Sequence, residues 1–340
     1  MASTFLANSQ QIDIVTWNKI TTLNVFTVNE FNCITVDKTG KIWAGSELGG
    51  LYTFNGANWH KEAVYEDITF KDIMPSNIQG DNGVWAASIG KNASQASLGG
   101  VYYFNNVNNS FTRYGSGTEG GLSSRHATSL AMNGGFVYVG LDRANTGISE
   151  GGVYRMNMTS PQNPTNNSFL KMDLETGVGI SYQAVGIRKN ETWFAKAAYC
   201  GSTCLATRIF RFDKPNTFIT PSVTGANSLL PFSTAAGSPI VKAIFTDETT
   251  NFTYVGLSNG GGIGVRNAND LVWNATNWHH ITSNNSILPF AASVNHNAII
   301  KVFNEIWVGT SRGIFIYNGC GKLNDFGSFS LLNTSNGLPS

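Results

Sequence analysis

One pattern recurs six times in this 340-residue chain, and it restricts the fold more than any other feature. An apolar–aromatic pair runs into small residues, a turn follows, and an alternating strand begins, usually behind a glycine. The first copies are IWAGS (Ile42 to Ser46) with GGLYTFN (Gly49 to Asn55), and VWAAS (Val84 to Ser88) with GGVYYFN (Gly99 to Asn105). VYVGL (Val137 to Leu141) with GGVYRMN (Gly151 to Asn157) is the third, and TWFAK (Thr192 to Lys196) with RIFRFD (Arg208 to Asp213) a weaker fourth. TYVGL (Thr253 to Leu257) with GGIGVRN (Gly261 to Asn267) and IWVGT (Ile306 to Thr310) with RGIFIYN (Arg312 to Asn318) complete the series. The copies stand roughly 40 to 60 residues apart, the period of propeller blades.

Each copy is preceded by a strand-like run, such as CITVD (Cys33 to Asp37), HATSLAM (His126 to Met132) or IVKAIFTD (Ile240 to Asp247). Each is followed by an aromatic-led run at Trp59, Phe111, Phe169, Phe218, Trp278 or Phe329. The unit therefore has four antiparallel strands, and period-two alternation turns one side of each toward a neighbouring unit. The Trp or Tyr of the second strand is expected to fill the wedge between units. The small residues behind it let adjacent sheets approach, and the glycine pairs supply turn geometry. The expected fold class is all-β, a β-propeller with six recognisable four-stranded blades, with a seven-bladed ring as the alternative. The blades are placed at approximately 31–70, 71–123, 124–179, 180–236, 237–292 and 293–340.

Residues 1–30 contain IDIVTWNKITTL (Ile12 to Leu23), which reads as a further fourth strand because Trp17 and its neighbours match those around Trp59 and Trp278. Either this strand closes a ring of six, or it belongs to a seventh blade. The count of fourth strands makes the chain an expected piece of a longer protein.

The stretches DKTGKIWAGSELGGLYTFNG (Asp37 to Gly56) and NEIWVGTSRGIFIYNG (Asn304 to Gly319) resemble the two-component-regulator type of propeller repeat, and NGLPS (Asn336 to Ser340) resembles the lead-in to another copy. The resemblance covers most of the chain, with copies three to five degenerate. It implies a periplasmic or cell-surface location, further domains on the same polypeptide, and a sensing, interaction or secretion-associated role. WD and kelch signatures do not fit.

The formal net charge is +1 and only 13% of residues are charged. With no Lys/Arg run, no nucleic-acid partner is expected. No apolar run approaches the ~20 residues that cross a bilayer. Residues 1–11 show no signal-peptide pattern. Of the four cysteines, Cys200 and Cys204 could close a small loop, and Cys33 and Cys320 could clasp the first and last repeats; four buried thiols are the alternative. No cofactor is expected, with calcium as the open alternative although no motif indicates it, and cysteine and histidine spacing does not suggest zinc.

No Gly-x-Ser-x-Gly, His-Glu-x-x-His or Walker loop occurs. In a propeller, residues entering each first strand surround the central channel. The candidates for binding there are Lys71, Asp72, Arg125, His126, Tyr182, Gln183, Lys242 and His296. Arg125 offers a planar fork for a carboxylate or phosphate, and His126 titrates near neutrality. Three readings follow. The first is a non-catalytic propeller that binds a glycan, a small molecule or another protein. The second is a lyase or glycoside-active enzyme using His126, His296 and a carboxylate. The third is a structural spacer of a surface protein.

Overall fold

A computed structural model describes residues 31–55, 58–62, 68–90, 98–116, 120–142, 151–158, 169–172, 180–188, 191–198, 208–214, 217–219, 241–258, 261–267, 278–281, 296–302, 304–310, 313–317 and 329–332. Within them lie six four-stranded sheets, each antiparallel and each in chain order. Unit one holds β1 (Phe31–Val36), β2 (Ile42–Ser46), β3 (Leu51–Phe54) and β4 (Trp59–Lys61). Unit two holds β5 (Ile68–Pro75), β6 (Val84–Gly90), β7 (Gly100–Asn105) and β8 (Ser110–Tyr114). Unit three holds β9 (Ala127–Asn133), β10 (Phe136–Leu141), β11 (Gly152–Asn157) and β12 (Leu170–Lys171). Unit four holds β13 (Ile180–Arg188), β14 (Glu191–Ala198), β15 (Arg208–Lys214) and β16 (Thr217–Ile219). Unit five holds β17 (Val241–Asp247), β18 (Phe252–Leu257), β19 (Ile263–Asn267) and β20 (Trp278–Ile281). Unit six holds β21 (His296–Val302), β22 (Glu305–Thr310), β23 (Gly313–Tyr317) and β24 (Phe329–Leu332). The second unit starts at Ile68, so a boundary expected after residue 70 falls inside β5.

First strands lie against one another in succession, β1 on β5, β5 on β9, β9 on β13, β13 on β17 and β17 on β21. They are therefore the inner strands, and the fourth strands form the rim. Alternation assigns the two faces of each sheet to different neighbours. Trp43 packs into the cluster holding Ile73, Val84 and Tyr102 of unit two. Trp85 packs into the cluster holding Leu130, Val139 and Tyr154 of unit three. Tyr138 meets Phe194 of unit four, with ring centroids 6.0 Å apart. Trp193 packs with Val255 and Leu257 of unit five, and Tyr254 with Ile306 and Phe315 of unit six. Five equivalent aromatics thus face the next unit and are buried. The sixth, Trp307, lies on the opposite side of β22 from the residues that meet unit five, and is half-buried.

Two local devices hold this geometry. Third strands begin behind a left-handed glycine at Gly50 (φ 84°) and Gly262 (φ 79°), a conformation that other residues resist. At Gly45 the sheets approach so closely that a Cβ would stand 2.5 Å from the Cβ of Phe70. Ahead of β2, Asp37 accepts hydrogen bonds from the Thr39 amide (2.8 Å), the Trp43 indole (2.8 Å) and Asn106 of unit two (2.8 Å). Burial opposes its charge, but the hydrogen bonds from Thr39, Trp43 and Lys41 outweigh it and hold its carboxyl below the ordinary value. The wedge aromatic is thereby anchored by its own turn. Glu305 repeats the device in unit six, accepting from the Trp307 indole at 2.8 Å.

The expected clasp from Cys33 to Cys320 is not made at Cys33, which is a free thiol. The reason is the alternation of β1. Cys33 faces unit two, where its Sγ stands 3.7 Å from the Phe70 carbonyl oxygen, and not toward unit six. Burial pushes its pKa well above the usual thiol value. Cys200, Cys204 and Cys320 lie outside the described residues.

Candidate functional site

Every inner strand carries a register shift near its start, at one equivalent place. The partners skip one residue between Phe31 and Cys33, Phe70 and Asp72, Ala127 and Ser129, Tyr182 and Ala184, Val241 and Ala243, and His296 and Ala298. The skipped residues are Asn32, Lys71, Thr128, Gln183, Lys242 and Asn297, and all six are polar. A bulge leaves its extra residue outside the ladder and re-aims the side chain. The bulge recurs on all six inner strands at one end of the molecule, and at Asn32, Lys71, Thr128 and Lys242 it brings described polar side chains there.

The described side chains at this end are joined by hydrogen bonds and charge. Glu47, directly after β2, accepts from Asn32 at 2.8 Å and from Lys71 at 3.1 Å. Burial works against the Glu47 charge, but these bonds and the Lys71 ammonium hold its carboxyl below the ordinary value. Asn32 also donates to the Phe70 carbonyl at 3.1 Å, tying unit one to unit two. Thr128 donates to the Gly140 carbonyl at 3.0 Å. Lys242 is half-buried, and burial lowers its pKa. Asp142, directly after β10, acts against that shift, while the charge of Lys71 adds to it. Charges from units two, three and five therefore act on one another across this end.

Asp72 follows its bulge and accepts from the Leu130 amide of unit three at 2.7 Å and from the Ile73 amide at 2.8 Å. Burial raises its pKa to about 6, with those two bonds opposing the rise. His126 stands just before β9; burial lowers its pKa and the Asp142 charge acts the other way. The Asp142 amide donates to the His126 carbonyl at 2.8 Å, which holds the ends of β9 and β10 together.

Of the residues singled out in the sequence, Lys71, Gln183 and Lys242 are bulge residues, and Tyr182 and His296 directly precede a bulge. Arg125 and His126 stand just ahead of β9, and Arg125 is half-buried. All eight, Asp72 included, belong to the same end. Sequence reasoning missed Asn32, Thr128 and Asn297, and also the acids Glu47 and Asp142. The acids carry a readable signal, since both directly follow the repeated second-strand motif. Among the described residues no group of three or more His, Cys, Asp or Glu is arranged to hold a metal ion. No helix in those residues is long and apolar enough to cross a membrane.

No protein-family model matches the chain, and no curated protein matches its sequence. Solved structures do match. Two crystal structures of the extracellular domain of BT4673 from B. thetaiotaomicron, described as a candidate one-component or hybrid two-component system, superpose with TM-scores of 0.60 and 0.58 at 13% identity. Each alignment covers 93% of this chain and 36% of the other. PorZ, a surface component of the type-IX secretion system of Porphyromonas gingivalis, superposes with a TM-score of 0.56 at 12% identity. That alignment covers 89% of this chain and 47% of PorZ.

The chain is a β-propeller. Its units are blades, its described residues hold six of them, and it spans about a third to a half of the length of these three solved chains. These neighbours include the kind of protein that the repeat resembles.

Proposed function

We propose that this propeller is a non-catalytic binding domain, sensing or interacting through the ring of bulges, within a larger extracytoplasmic polypeptide. The observation that carries the reading is the sixfold recurrence of the bulge with a polar residue in every copy. The mixture of Lys71, Lys242, Glu47, Asp142 and amide side chains suits a polyhydroxylated or acidic glycan, which takes both donors and acceptors. The extracytoplasmic placing rests on the repeat resemblance and on the extracellular domains among its fold neighbours.

The test is a glycan array probed with the purified chain, with and without calcium, repeated with the double variant Lys71→Ala/Lys242→Ala. A ligand retained by the wild type and bound at least ~10-fold more weakly by the variant supports the reading, since each lost charged hydrogen bond is worth roughly 1.5–3 kcal/mol. Unchanged binding by the variant would move the site elsewhere. Conversion of the bound glycan into product would make the domain an enzyme.

A further inference from the structure

The two terminal blades each expose an apolar face that their siblings bury. Ile34 follows the bulge of β1 by two residues. Its register equivalents are Ile73, Leu130, Val185, Ile244 and Ile299, and each packs against the preceding blade. Ile73 and Leu130 are 5% exposed and Ile299 is 7% exposed, whereas Ile34 is 68% exposed. Val36, on the same side of β1, is also exposed. At the other end, Ile300 of β21 occupies the place of Met74, Ala131 and Phe245, which pack or lie buried toward the following blade. Ile300 is 54% exposed, and Trp307 beside it is only half-buried. Among the described residues β21 does not pack on β1 as the other inner strands pack on their successors.

We propose that one further four-stranded blade of the same polypeptide sits between blade six and blade one, making a ring of seven. The two faces specify the occupant. Blade six presents an unfilled wedge aromatic, Trp307, which requires a partner with a branched aliphatic residue two places after its bulge. Blade one presents that aliphatic residue, Ile34, which requires a partner bearing a wedge aromatic. A unit with one face of each kind is another copy of the repeat. A direct joint between blades six and one would bury Ile34 and Ile300, and they are exposed. Blade six already holds a fourth strand of its own, β24, whose Phe329 pairs with Tyr317.

The experiment places Ile34→Asp, Ile300→Asp and the buried control Ile73→Asp in two backgrounds: this 340-residue chain and the natural polypeptide in full. In the short chain Ile34→Asp and Ile300→Asp leave the melting temperature within ~2 °C of wild type, while Ile73→Asp lowers it by ~5 °C or more. In the full polypeptide all three lower it by ~5 °C or more. If Ile34→Asp is as damaging as Ile73→Asp in the short chain, this chain closes its own ring and the proposal fails. It fails equally if Ile34→Asp is harmless in the full polypeptide, or if that polypeptide forms a dimer that Ile34→Asp splits, which would seat a second copy there. Amide exchange of β1, slow only in the full polypeptide, is the readout should a variant not fold.

Discussion

β1 and β5 are the same strand in adjacent blades. Both carry the bulge, both put an isoleucine two residues after it, and both pair with a second strand bearing a wedge Trp. Yet Ile73 is sealed between two sheets and Ile34 faces outward. The repeat encodes the strand, its register and the choice of face. It does not encode whether that face is covered, which depends on what stands beside the blade.

Variants can break or sharpen this contrast. The largest effect is expected at the wedge. Trp85→Ala empties a fully buried site between blades two and three and should cost ~3–5 kcal/mol. Trp307→Ala in the 340-residue chain should cost less than half as much, and urea denaturation of the two variants measures the difference. Next, Ile73→Ala should cost ~2–4 kcal/mol, and Ile34→Ala within ~0.5 kcal/mol of nothing. Equal losses in this second pair would end the distinction between interior joint and open face.

Titration separates two joints by sign. Asp72 has a raised pKa, so its contribution is greatest below the unfolded carboxylate value and falls as pH rises through about 6. Asn stands in for the protonated acid. Asp72→Asn should therefore gain on wild type by ~2 kcal/mol between pH 4 and pH 7, read from chemical denaturation at each pH. Asp37 has a lowered pKa, so its stabilisation is present above the ordinary carboxylate value and is lost as pH falls through the folded value. Asp37→Asn should flatten the acid limb. Smallest is the tie between blades five and six. Lys301 reaches both carboxylate oxygens of Asp247 at 2.9 Å, and Lys301→Ala should cost about 1 kcal/mol, less at high salt.

The architecture was legible because it is written in local chemistry. Trp43, Trp85, Tyr138, Trp193 and Tyr254 recur with small residues behind them, and alternation alone turns each to its neighbour. The bulges were not legible. A skipped partner is a relation between two strands, and nothing in Asn32, Thr128 or Asn297 announces it. Lys71 and Lys242 were singled out for their position at the start of an inner strand, without sight of the shift that re-aims them. The Cys33–Cys320 clasp misjudged a parity that the sequence does contain. Cys33 and Ile34 are adjacent on a strand and must face opposite ways, so the residue turned away from blade two is Ile34.

The bulge ring bears on how such a protein diversifies. Its positions are created by backbone pairing on either side, while Asn32 and Thr128 also donate to strand carbonyls and so help to hold the sheets. Exchanging Lys242 for an acid alters the charge this end presents and leaves the register to the backbone. Under the proposed role, recognition and folding are then nearly separate inheritances, and descendants of one ring can part in what they recognise while remaining superimposable.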